Sequence, residues 1–198
     1  MSSAELDPYL DLDPDPALWL IGPTPERPVE QWLPAATDAV VSDFGLGAEQ
    51  AREREHVRDV LGLTARRHPS PLPLFVLRWR ELREVPMALF LGLVEREPGL
   101  TDLWLDAEDG ESVEPPVREP VPTGAGTTIE RSLSYTHDGE TGLTIGLRYV
   151  VDTGHPVAVV LAHTASDSPG DILAAASDVE DLLRTVRVLD QPPSGGRR

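Results

Sequence analysis

LTIGLRYVV at 143–151, VAVVLA at 157–162 and SPGDILAAASDVEDLLRTV at 168–186 follow one another closely and decide the fold class. In the first, Leu143, Ile145, Leu147, Tyr149 and Val151 alternate with other residues, so they share one face of a strand with a single covered side. The second has no polar alternation and reads as a central strand covered on both faces. In the third, Ser168 stands where an N-cap belongs, Pro169 opens the first turn and Asp171 can reach back, an arrangement close to a capping box. Ile172, Ala175, Ala176, Val179, Leu182, Leu183 and Val186 then recur at spacings of three and four, which makes one apolar helical stripe. A strand pair followed by such a helix is an α+β signature, with the helix lying on the sheet.

Working toward the N-terminus, Thr127 to Thr136 alternates with Ile129, Leu133 and Tyr135 on one face and Arg131 among them. The His137-Asp138-Gly139 turn joins it to the next strand as a hairpin. Leu72 to Trp79 and Met87 to Val94 are near-continuous apolar runs across a charged turn at Glu81 to Pro86, and they predict two buried strands. Ala17 to Ile21 predicts one further short strand. The count is about five to six strands in a mainly antiparallel sheet, with N-terminal helices and the C-terminal amphipathic helix packed on it. The N-terminal helices are expected from Val29 or Pro34 to Phe44, carrying Trp32, Leu33, Ala36 and Val40, and from Ala48 to Leu63. Residues 97–126 are rich in proline and acid, with only Leu103-Trp104-Leu105 to anchor them, and are expected as a long loop. Residues 1–17 read as a disordered or extended acidic tail and 190–198 as a flexible tail, leaving one domain over 18–189.

Ordered in this way, N-terminal helices, a strand hairpin, three further antiparallel strands and a closing helix resemble the PsbP-like fold. The resemblance is carried by the 143–151 strand, the strand from Val157 to Thr164 and the helix from Ile172 to Val186 that runs into Thr185-Val186-Arg187-Val188. It covers residues 29–189. It implies a non-catalytic accessory or protein-binding role and carries over no functional residue.

Composition removes several reaction classes. The chain of 198 residues has no cysteine and no lysine, which excludes disulfides, thiolate nucleophiles, thiolate zinc sites and Schiff-base chemistry. Thirty-four acids oppose seventeen basic residues, a net charge of −17, which opposes approach to nucleic acid. No run reaches the roughly 18 apolar residues of a membrane span, and Met1 to Pro16 has no apolar leader, so the expected location is cytoplasmic. Charge is unevenly placed. Residues 52–83 hold eight arginines against four acids.

Candidate sites are few. Asp11, Asp13 and Asp15 have the one-three-five spacing of a calcium loop, yet Pro14 and Pro16 interrupt it and Gly22 stands where the bidentate acid belongs. His163, Ser166 and Asp167 gather at a strand end without a nucleophile elbow, and serve more simply as turn and cap residues. Gly124-Ala125-Gly126 precedes a strand and reads as a loop rather than a phosphate cradle. His56, His68, His137, His155 and His163 lie far apart in sequence. Arg52 and Arg58 have glutamates three residues away on the second helix. Arg78 and Arg80, on one strand face, with Arg83 in the turn that follows, are better placed to meet an anion or an acidic partner.

The expected function is therefore non-catalytic binding of another protein, with no cofactor, no metal, no nucleic acid and no membrane. The acidic loop around Trp104, Asp106 and Asp109 is one expected contact surface, Trp104 acting either as an anchor within a charged rim or as a pin holding the loop to the core. Arg78 and Arg80 form the other. Two alternatives stand beside it: a small-molecule binding domain with a cavity between sheet and helices, and an enzyme whose carboxylates converge only on folding.

Overall fold

The computed structural model describes residues 8–24, 26–47, 50–66, 72–82, 86–107, 111–124, 126–137 and 142–190. Asp109, Arg83, the Asp138-Gly139 turn and both extreme tails lie outside the described residues. In chain order the elements are β1 (Tyr9–Asp11), β2 (Trp19–Ile21), α1 (Val29–Asp43), α2 (Ala51–Arg66), β3 (Leu74–Arg78), β4 (Met87–Glu95), α3 (Leu100–Leu105), β5 (Glu111–Val121), β6 (Thr128–His137), β7 (Leu143–Asp152), β8 (Ala158–Ser166), α4 (Pro169–Leu183) and β9 (Arg187–Leu189). The class is α+β, with a seven-stranded antiparallel sheet, β2 through β8, and a two-stranded β1-β9 sheet. The chain divides into two compact units, one formed by residues 14–90 and the other by the segment up to Asp13 with residues 91–198. The division falls inside β4.

In the 14–90 unit the strand neighbours are β2, β3 and the opening of β4. The helical spacing of Trp32, Leu33, Ala36 and Val40 gives α1 its covered face, and all four are buried. Pro34 lies inside α1 instead of starting it. Its missing N–H deletes one intrahelical bond, the one to the Glu30 carbonyl. The Trp32 indole donates to the Ile21 carbonyl at 2.8 Å and ties α1 to β2. Val57, Leu61, Val76, Leu77 and Leu89 are fully buried and form the centre of this unit. Arg54 of α2 pairs with Asp38 of α1, so one arginine of the expected charged helix reaches across to its neighbour.

The second unit holds the order β4-β8-β7-β6-β5. The α4 stripe of Ile172, Ala175, Val179, Leu182 and Leu183 is buried as its spacing predicts, and each of the larger side chains contributes roughly 1.5–3 kcal/mol of transfer free energy as an upper bound. Its start differs from the expected capping box. Ser168 stands at the N-cap but makes no side-chain cap bond; its N–H instead donates to the Ser166 hydroxyl at 3.0 Å, which closes the preceding turn.

Residues 97–126, expected as loop, contain α3 and all of β5. Gly99, at φ +80°, opens α3 in a left-handed conformation that glycine adopts without strain. β5 pairs with β6 from Glu111 opposite His137 to Val121 opposite Ile129, with irregular register between Ser112 and Val117. It is the seventh strand. Pro115 and Pro116 fall at that irregularity and Pro120 lies on an edge strand, the settings in which a sheet tolerates proline. Tyr9 lies opposite Leu189, so residues 9–11 of the expected tail are a strand. β6 also departs from expectation. Its Ile129, Leu133, Tyr135 face includes only one fully covered apolar residue, whereas Ser132, Ser134 and Thr136 on the other face are buried. Gly146 makes room there: a Cβ on it would lie 2.9 Å from the Ser134 hydroxyl.

Candidate functional site: a clamped helix and an apolar cleft

Antiparallel register places Arg118 of β5 opposite Ser132 of β6, Ser132 opposite Arg148 of β7, and Arg148 opposite His163 of β8. Cross-strand partners share a face, so these four form one row across four strands. α3 lies against β7 on that side. Arg118 holds it at both ends, donating to Asp102 Oδ1 at 2.7 Å, to the Asp102 carbonyl at 3.1 Å and to Asp106 Oδ1 at 3.0 Å. Hydrogen bonds first to Asp106 and then to Asp102 hold the guanidinium above its ordinary pKa. Between them, the Trp104 indole donates to the Tyr149 carbonyl at 3.2 Å. Its ring stacks on His163 with centroids 6.1 Å apart, and the Arg148 guanidinium carbon lies 4.9 Å from its centroid. A cation–π contact with a buried arginine contributes about 1 kcal/mol. Leu105 is fully buried, while Leu103 points outward and is 72% exposed.

Trp104 therefore pins its segment to the sheet, the second of its two expected roles. Asp106 is exposed but ion-paired within the chain, and Asp109 lies outside the described residues. Arg78 is only 8% exposed, opposite Trp19 in the β2-β3 pair, so it presents little of itself to a partner. Arg80 lies past the end of β3 and is exposed. Leu103 and Arg118 carry the geometry of this surface without having been singled out as site residues. Leu103 could have been found, since in a helical turn it points away from its neighbours Trp104 and Leu105.

Arg80 borders a different feature. In the 14–90 unit, Trp19, Val40, Phe44, Leu77 and Trp79 wall an open cleft of about 420 Å³ between β2, β3 and α1. Phe44 and Trp79 meet edge to face, centroids 6.0 Å apart at 76°. The Trp79 indole nitrogen is buried and has no hydrogen-bond partner among the described residues.

Other polar groups serve the scaffold. Arg131 pairs with Glu119 of β5 and, at 2.6 Å, with Glu180 of α4. Beside them, burial first and the Glu180 charge second push the Tyr149 phenol up. Arg96 makes two 2.7 Å bonds to Asp152 and holds its carboxyl below the ordinary value. Strand alternation puts His163 and Ser166 on opposite faces of β8, which does not bring them together as a dyad. Among the described residues no three His, Asp or Glu side chains converge to hold a metal ion. No helix among them is long and apolar enough to cross a membrane.

No protein-family model matches the chain, and no curated protein matches it. Among solved structures, it is similar to LpqN, a protein involved in cell envelope biogenesis of Mycobacterium tuberculosis. The TM-score is 0.51 at 8% identity, covering 94% of this chain and 86% of LpqN. At that identity the likeness shows a shared fold.

Proposed function

We propose that the chain is a non-catalytic, PsbP-like accessory domain that binds another protein through α3 and the adjoining β5. The observation that carries this reading is Leu103. It is the most exposed large apolar side chain among the described residues, and it stands on a six-residue helix fixed by Arg118 at both ends and by Trp104 in the middle. A rigid, outward apolar residue lowers the ordering cost of association. Val113 of β5 is also exposed, at 61%, between the exposed acids Glu111 and Glu114, whereas Val117, opposite Leu133, lies on the other face of the sheet. The chemistry suits a partner offering an apolar socket with a basic rim. That the nearby polar groups Asp102, Asp106 and His163 are engaged in holding α3 supports a binding role over a catalytic one.

The test is affinity capture from a lysate of the source organism at low and high salt, using the full chain, Leu103→Asp and Leu173→Asp. Leu173 is 63% exposed on α4 and serves as the control. A partner retained by Leu173→Asp and lost with Leu103→Asp is the expected result. Equal capture by all three would remove α3 as the contact surface. A second reading, small-molecule binding, is favoured by the cleft between β2, β3 and α1.

A further inference from the structure

Two acids of α1 stand in different surroundings. Asp38 pairs with Arg54 of α2, whereas Asp43, at the end of the last turn, makes no ion pair or side-chain hydrogen bond among the described residues. That turn holds no basic residue either. The carbonyl end of a helix carries partial negative charge, which favours a cation and disfavours a carboxylate. Asp43 therefore adds negative charge where the helix already has it, and the fold supplies nothing to offset either. Both border one space: Asp43, with Ala39 and Phe44 of the same helix end, lines the cleft of about 420 Å³. That volume falls in the range of small-molecule sites, and Trp19, Leu77 and Trp79 complete an apolar lining. Arg80, the basic residue on the rim, is engaged in an interaction of its own.

We propose that this cleft binds a small organic cation, a protonated amine carried on an apolar ring body. The proposal rests on the small-molecule reading and adds the charge of the ligand. The body displaces water from the apolar walls, a gain that scales with the area covered. The ammonium lies at the rim beside Asp43 and the carbonyl end of α1, where it offsets the negative charge left uncompensated there. A carboxylate would meet Asp43 as a like charge, and a neutral analogue would gain the walls alone. A net charge of −17 attracts any cation at long range, so the local share that belongs to Asp43 is the quantity to isolate.

The experiment titrates the ¹⁵N-labelled full chain at neutral pH with 2-naphthylmethylammonium, 2-naphthylmethanol and 2-naphthoate, which share a body and differ in charge, and follows the backbone amide signals of Trp19 and Phe44. Asp43→Asn is compared with Asp59→Asn, the same change of charge at an exposed acid of α2 outside the cleft. Asp43→Asn keeps the fold, since it removes an acid from a helix C-terminus. The expected result is that the ammonium binds about fivefold more tightly than the alcohol, that Asp43→Asn brings the two within about twofold without weakening the alcohol, and that Asp59→Asn leaves the preference in place. Ala39→Trp, which fills the cleft from α1, should weaken every probe that binds at least about tenfold, with unmoved signals elsewhere in the chain showing that the fold is intact. An alcohol or naphthoate that binds as tightly as the ammonium, or an ammonium preference that survives Asp43→Asn, overturns the ligand class and leaves the small-molecule reading standing. If no probe moves the cleft signals at saturation, or if Ala39→Trp binds the probes as well as wild type, both are overturned.

Discussion

α3 is held by charged groups, whereas the cleft is walled by apolar ones. Around α3, Arg118 is shared by two aspartates, the Trp104 indole has a carbonyl, and Arg148 lies over the Trp104 ring. In the cleft, the walls are packed aromatic and aliphatic groups, two of them the buried indoles Trp19 and Trp79. A region whose charged groups are engaged with each other offers a partner mainly shape and apolar area, which here is Leu103. The contrast teaches that charge was a poor guide to sites in this chain: Asp102 and Asp106, acids of the segment expected as a contact surface, are engaged with Arg118.

The strongest test of that contrast is Trp104→Ala. It removes the ring from His163 and Arg148 together with the hydrogen bond to Tyr149, and should cost about 3 kcal/mol in urea unfolding. An effect under about 1 kcal/mol would mean that α3 is not held by Trp104. Arg118→Ala comes next, at about 1.5 kcal/mol, reduced from the value for a buried pair because Asp102 and Asp106 are exposed. High salt should shrink the difference from wild type, since screening already weakens the pairs that the variant lacks.

A smaller effect should come from Asp152→Asn, at most about 1 kcal/mol near neutral pH. Hydrogen bonds from Arg96 hold the Asp152 carboxyl below its ordinary 3.8. A depressed carboxyl contributes stability that is present above the unfolded-state value and is lost as pH falls from there through the folded value. The gap between wild type and variant should therefore be widest above about pH 4 and close toward lower pH. A gap that widens on acidification would contradict the assignment.

Much of the scaffold was legible because burial writes a periodic pattern. The alternation in β7, the unbroken apolar run of β8 and the α4 stripe each point to the face they cover. β5 left no such trace, since an edge strand with exposed faces has little apolar periodicity, and its prolines argue for a loop when read alone. β1 and β9, three residues each, are too short to show a period. The site was legible in part. Trp104 stood out as an aromatic in an acidic segment, but whether it faces a partner or the sheet depends on Arg148 and His163, which reach it only through the register of strands far apart in sequence. Arg78 was expected outside and is inside for the same reason: its neighbour Trp19 is 59 residues away.

The smallest expected effect comes from comparing two indoles of the 14–90 unit. Trp79→Phe and Trp32→Phe remove the same atoms from two indoles that are both well buried, 8% and 2% exposed. Trp32→Phe also deletes the bond to the Ile21 carbonyl, whereas Trp79→Phe deletes a donor with no partner among the described residues. The loss of packing is similar, so the difference between the two variants reports the hydrogen bond. Trp79→Phe should cost about 0.5 kcal/mol or less, because removing an unsatisfied donor offsets part of the lost contact, and Trp32→Phe about 1 kcal/mol more. Equal costs in thermal and urea unfolding would mean that the Trp79 indole already has an acceptor in the free protein.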